Sequence, residues 1–71
     1  MVTVEDLEEW FTYHSPTPDQ IPRYTTIRNE AKNLARIIKE NTPPCADQTA
    51  ALRKLRECVM TANAAIALEG K

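Results

Sequence analysis

The chain has 71 residues with nine Lys/Arg, ten Asp/Glu, one His and two Cys, for a net charge of −1. That length allows one small domain, residues 1–71, whose core is too thin for high stability alone; oligomerisation is a common remedy. The charge balance argues against a binder of polymeric nucleic acid, and the lack of any run of 18 apolar residues argues against a transmembrane helix.

One Gly and a large Ala, Leu, Ile, Glu, Lys and Arg inventory point to an all-α protein. The charge is unevenly spread. Residues 1–19 hold five acidic and no basic side chains, whereas all nine Lys/Arg fall in residues 20–71. The acidic start, Met1-Val2-Thr3-Val4-Glu5-Asp6, has no hydrophobic signal core, so a cytosolic protein is expected.

Thr3 opens a short helix as N-cap, with Glu5 and Asp6 in its first turn. The expected span is about 4–12, with Leu7, Trp10 and Phe11 on the apolar face. A helix this short is not stable alone, so Trp10 and Phe11 need a docking surface. Residues 13–17, Tyr-His-Ser-Pro-Thr, form a stiff linker, because Pro16 and Pro18 push Ser15 and Thr17 into extended geometry. Tyr13 is placed to stack on a planar base; packing at an interface is the commoner role for such a Tyr.

Thr17-Pro18-Asp19-Gln20 reads as a helix start with a capping box, and the first long helix is expected over about 18–40. Pro22 interferes, leaving two alternatives: a bent first turn, or regular helix only from near Ile21. Tyr24, Ile27, Ala31, Leu34 and Ile38 form the apolar stripe, flanked by Arg23, Arg28, Lys32, Arg36 and Lys39. The turn Asn41-Thr42-Pro43-Pro44 is short, which makes the next helix an antiparallel neighbour.

The second long helix is expected over about 46–68, with Cys45 at the N-cap position, Asp47 sharing that role and Gly70 at the fraying end. Leu52, Leu55, Val59, Ala62 and Ile66 mark one face. From Cys58 to Leu68 only Thr61 and Asn63 are polar, so this half needs cover on every side, from the rest of the chain and from other copies. Thr61 and Asn63 are open to bonds across an interface or to a ligand, interface bonding being the default. On one straight helix Cys45 and Cys58 lie roughly 20 Å apart, too far for a disulfide. His14 is the only histidine, and no Cys/His spacing resembles a zinc site, which argues against a catalytic triad or metal hydrolase.

Four stretches then carry a resemblance. They are Phe11-Thr-Tyr-His-Ser-Pro-Thr17, Gln20-Ile-Pro-Arg-Tyr-Thr-Thr-Ile-Arg28, Thr42-Pro-Pro44 and Ala51-Leu-Arg-Lys-Leu-Arg-Glu-Cys-Val-Met-Thr-Ala-Asn-Ala-Ala-Ile-Ala67. Together they resemble the bacteriophage anti-CBASS protein 2 family, which shares a helical hairpin domain with an anti-Thoeris sponge. The resemblance implies a short N-terminal helix followed by a long antiparallel αα-hairpin, assembled as a homo-oligomer, a hexamer. It implies a sponge and no enzyme: cyclic dinucleotides such as 3′,3′-cGAMP, and cyclic trinucleotides in some members, are bound without cleavage in the cytoplasm of the infected host, with no cofactor. Tyr13 matches the linker tyrosine that stacks on a purine. Arg28 lies near the cation that meets phosphate, and Lys32 is one turn further along. His14 and either Arg53 or Arg56 are carried over to a separate trinucleotide site. Ser15, Pro22 and Cys45 depart from the family pattern and bear on ligand preference more than fold. The reading from another class is a structural or regulatory hairpin acting through protein partners.

Overall fold

The computed structural model describes residues 1–70. Three helices, α1 (Val4–Trp10), α2 (Ile21–Asn41) and α3 (Ala46–Leu68), follow in chain order, with no strand among the described residues. No helix among them is long and apolar enough to cross a membrane.

Packing is concentrated between α2 and α3. Gln20, just before α2, bonds Ile66 near the end of α3, while Gln48 in the first turn of α3 bonds Lys39 and Thr42 at the end of α2. The two helices therefore run side by side in opposite directions. The seam on α3 is the expected one: Leu52, Leu55, Val59 and Ala62 are half-buried and Ile66 is buried.

The seam on α2 is shifted by one position. Tyr24, Ile27, Ala31, Ala35 and Ile38 are half-buried, whereas Leu34, expected on the stripe, is 46% exposed. At 3.6 residues per turn Leu34 and Ala35 flank the centre of the stripe about equally, on opposite sides, and it is the Ala35 side that faces α3. The small Ala35 side chain keeps the seam narrow and leaves Leu34 at its edge.

Three helix boundaries lie one to three residues from the expected positions. The first long helix, expected over about 18–40 with either a bent first turn or a regular start near Ile21, takes the second course and begins at Ile21. A helix starting at Pro18 would set the ring of Pro22 against the Pro18 carbonyl and offer it no N–H. Thr17 to Ile21 instead form a turn, in which the Thr17 carbonyl accepts from Gln20 N at 3.0 Å and Ile21 N at 3.2 Å. Pro22 then falls in the first helical turn, where a missing N–H costs little. At the other end the helix runs one residue past 40, and the side chains of Asn41 and Thr42 donate to the carbonyls of Ile37 and Ile38.

The short helix was expected to reach residue 12 and stops at Trp10. Its start has a full capping box between Thr3 and Asp6, at 2.9 and 3.1 Å. Its last carbonyls are taken by side chains from the following segment: Thr12 Oγ1 donates to the Glu8 carbonyl and His14 Nε2 to the Glu9 carbonyl at 2.7 Å. These bonds replace further helical turns.

The third helix spans Ala46–Leu68, as expected. Cys45 holds the N-cap backbone position without a side-chain cap bond, and Asp47 supplies none either. Gln48 spends its amide on Thr42 instead, at 3.1 Å to both the carbonyl and the hydroxyl, which ties the turn shut. Cys45 and Cys58 are free and exposed.

A body 44 Å long and 15 Å thick offers little interior. Among the described residues only Ile66 and Gln20 are buried. Trp10, Phe11, Leu34, Ile37 and Met60 all present apolar surface to solvent, as do Ala64 and Ala65 on the outer face of α3.

Candidate ligand-binding cleft

The open end of the hairpin is fastened by Gln20, which is only 5% exposed. Its Nε2 donates to the Ile66 carbonyl at 3.0 Å and to Glu69 Oε1 at 2.9 Å, while its Oε1 accepts from Thr17 N at 3.0 Å. Both N–H donors and the carbonyl are thus engaged, as a buried amide requires. Glu69 reaches this bond from a left-handed backbone, φ 49°, a region disfavoured for residues with a Cβ. Its N–H bonds the Ile66 carbonyl and that of Gly70 bonds Ala65, so α3 ends in a Schellman arrangement. Arg23 pairs with the same carboxylate. The hydrogen bond from Gln20, then the one from Arg23, hold the Glu69 carboxyl below its ordinary value. The Thr17 hydroxyl, 2.6 Å from Asp19 Oδ1, and the Asp19 backbone N–H lower the Asp19 carboxyl in the same way.

This fastening anchors the end of the linker over the hairpin. There Pro16 joins Ile21, Tyr24 and Arg28 of α2 and Val59 and Asn63 of α3 around a cleft of about 220 Å³. Arg28 and Val59 also line an adjoining groove of about 310 Å³, with Ala31, Lys32, Ala35, Leu55, Arg56 and Met60. The guanidinium-bearing side chain of Arg28 therefore belongs to both depressions. The groove is apolar at its Ala and Leu positions and carries three cations. Neither depression includes a carboxylate or histidine among its lining residues.

The expected site residues separate into three depressions, with Tyr13 outside all of them. Arg28, Lys32 and Arg56 share the groove. Arg53 lies with Arg56, Glu57 and Met60 in a further shallow depression, so Arg56 links the two. His14 sits elsewhere, with Glu5, Glu8, Glu9 and Thr12 of the α1 segment, and its ring is 3.6 Å from the Glu9 carboxylate. Tyr13 is 83% exposed and lines none of these depressions.

The chain matches the family described as Acb2/Tad1, hairpin domain, over residues 4–67. It belongs to the Acb2/Tad1 hairpin family. The match takes in α1, the linker, α2 and nearly all of α3, and the family is the one to which the linker and the α3 ending pointed. Comparison with curated proteins gave no match, and comparison with solved structures gave none. Membership suggests a sponge-type protein that takes up small signalling molecules.

Within this Acb2/Tad1 hairpin, two contributors to the cleft were not expected there from the sequence, and a third, Asn63, was expected to bond across an interface or to a ligand. Tyr24 was expected only as a seam residue and Pro16 only as a stiffener. Asn63 was noted as a polar island, and its environment is the unexpected part. Its Oδ1 is buried and has no hydrogen-bond partner within the chain. An unmade bond at a buried acceptor costs about 1–3 kcal/mol.

Proposed function

We propose that this protein is a non-enzymatic sponge that binds cyclic dinucleotide messengers and withholds them from their receptors. The observation that carries the reading is the position of Arg28, shared by the cleft and the groove, with Lys32 and Arg56 on the same groove. A cyclic dinucleotide has two phosphodiesters between two planar bases. Cations at the junction of two depressions suit that order of charge and planar surface. Arg28 takes phosphate through paired N–H donors, and Lys32 and Arg56 supply further positive charge.

Tyr13 lines neither depression of its own chain, so its ring stacks on a ligand held between protomers. Its ring is exposed on a linker held at both ends, by His14 on α1 and by Thr17 and Gln20 on the hairpin. Base–aromatic stacking contributes about 1–3 kcal/mol per base. Nanomolar binding corresponds to about −12 kcal/mol, more than one open depression with one ring supplies. A second protomer closing over the ligand makes up the difference. Family membership and the exposed apolar residues support a homo-oligomer, a hexamer, with ligands held between protomers. Since Arg56 serves the groove, Arg53 and His14 are assigned to a second, trinucleotide site in that assembly.

Sequestration without cleavage fits the lining of the two depressions. General acid–base cleavage of a phosphodiester needs a positioned proton donor and acceptor, and the lining offers cations, apolar groups, a phenol and an amide. The place of action is the cytoplasm of an infected bacterium, where the messenger is made, and the outcome is a muted CBASS-type response. A dose-dependent rise in melting temperature with 3′,3′-cGAMP tests the reading. At a hundred times Kd the stabilisation is about 2.7 kcal/mol. No rise with this or any other cyclic dinucleotide would reject it.

A further inference from the structure

Asn63 is a costly residue at its position. It sits in the interior of α3, where an asparagine is a poor helix former compared with the alanines around it. It lies on the hairpin side of α3, half-buried, while the other polar residue of this stretch, Thr61, is exposed. Its Oδ1 has almost no accessible surface and no partner, so the oxygen is closed to bulk water as well as to the chain. Yet the residue itself lines the cleft, beside Tyr24 and Arg28. Alanine or leucine would serve packing better.

We propose that Asn63 is a specificity-determining residue: its amide accepts a hydrogen bond from an N–H or O–H donor of the nucleotide whose phosphate Arg28 holds. The inference rests on the sponge reading of the cleft. The amide needs only to turn about its last torsion, which is soft for asparagine, to bring the oxygen from its closed position to the cleft. Turning sets the amide NH2 in the position the oxygen leaves and the oxygen against the ligand's donor, so the gain is one hydrogen bond to the ligand. The neighbouring Arg28 offers donors only, and the Tyr24 hydroxyl can donate or accept. Asn63 is thus the amide acceptor of the cleft. A site built to pair such a donor rejects an analogue that lacks it. The donor is an exocyclic amine or ring N–H of a purine, or a ribose 2′-hydroxyl.

The test is calorimetric titration of wild type and Asn63→Leu with 3′,3′-cGAMP and with its bis-2′-deoxy analogue. Melting temperature and light-scattering mass are measured on the free proteins. The expected result is that Asn63→Leu weakens 3′,3′-cGAMP by about tenfold, while the free variant melts no lower than wild type and keeps its mass. Asn63→Ala, with better helix propensity, gives the same answer if leucine is too large for the seam. A hydroxyl donor is assigned if the deoxy analogue binds wild type about tenfold more weakly but binds Asn63→Leu as 3′,3′-cGAMP does; a base donor is assigned if wild type binds both ligands alike. Variants that bind within twofold of wild type overturn the role of Asn63 and leave the sponge reading intact. Variants that lose mass or stability identify a structural bond instead and also overturn it. A wild-type protein that binds neither ligand overturns the sponge reading itself, and this inference with it.

Discussion

The Gln20 amide and the Glu69 carboxylate meet at 2.9 Å across a sequence separation of 49 residues. The contact joins the turn before α2 to the residue after α3. It exists only because Glu69 adopts a left-handed backbone, where glycine would be the unstrained choice. Glycine follows at once, at position 70, so the chain places the side chain where its carboxylate is used and the permissive residue one step later.

Replacing Glu69 separates these two effects. Glu69→Ala removes the carboxylate and keeps the backbone strain; Glu69→Gly removes both. The strain for an L-residue in this region is about 1–2 kcal/mol, so Glu69→Gly should melt above Glu69→Ala. Gln20→Ala should cost about 0.5–1.5 kcal/mol for each hydrogen bond lost, because the Thr17 N–H, the Ile66 carbonyl and the Glu69 carboxylate each lose a partner. Thermal denaturation followed by circular dichroism gives all three values, and equal melting of the two Glu69 variants would contradict the strain.

Acid should loosen the same end of the molecule. Glu69 is lowered chiefly by the Gln20 hydrogen bond and then by Arg23, and Asp19 chiefly by the Thr17 hydroxyl. A carboxylate lowered in the folded state stabilises it above the unfolded value, near 4.5 for Glu and 3.8 for Asp. That contribution is lost as pH falls through the folded value. Melting temperature should therefore fall on acidification through and below pH 4.5. The fall should be shallower in Glu69→Gln, which cannot titrate there. An identical pH profile for wild type and variant would remove Glu69 from the account.

Tyr13 and Arg28 should fail in different ways. Tyr13 is exposed, so Tyr13→Ala should leave helix content and mass unchanged while removing a stacking surface; a loss of about 1–3 kcal/mol is roughly 5- to 150-fold in Kd. Arg28→Glu reverses the charge at the phosphate position and should abolish binding, with Lys32→Ala and Arg56→Ala giving smaller losses. Normal binding by Tyr13→Ala would show that the ring does not stack on the ligand.

Ala65 is exposed on the outer face of α3. Ala65→Glu sets a charge on that face and should reduce the assembly to a smaller species by light scattering, with little change in helix content. An unaltered mass would place the interface elsewhere.

How much of this was legible in the sequence depends on whether the determinants are local. The bounds of α3 were, because one unbroken stripe runs from Leu52 to Ile66 after a Pro-Pro stop. The start of α2 was legible only as two alternatives, because Thr17, Pro18 and Gln20 signal a helix that Pro22 opposes; the structure takes the one that begins at Ile21. Leu34 and Ala35 lie about equally far from the centre of the α2 stripe, on opposite sides, so helical spacing did not separate them, hydrophobicity favoured the larger side chain, and the packing of α3 took the smaller. Arg28 and Lys32 were legible as neighbours on one helix, and the groove adds Arg56 from the facing helix to them. The partners of Gln20 and the unpaired oxygen of Asn63 depend on pairing between distant segments, which no local pattern records.

The central claim is sequestration, and one experiment addresses it directly: calorimetric titration of the purified protein with 3′,3′-cGAMP, followed by heat denaturation and analysis of the released nucleotide. The account predicts tight, saturable binding and full recovery of the intact cyclic dinucleotide. Recovery of a linear, cleaved product would make the protein an enzyme and contradict the account.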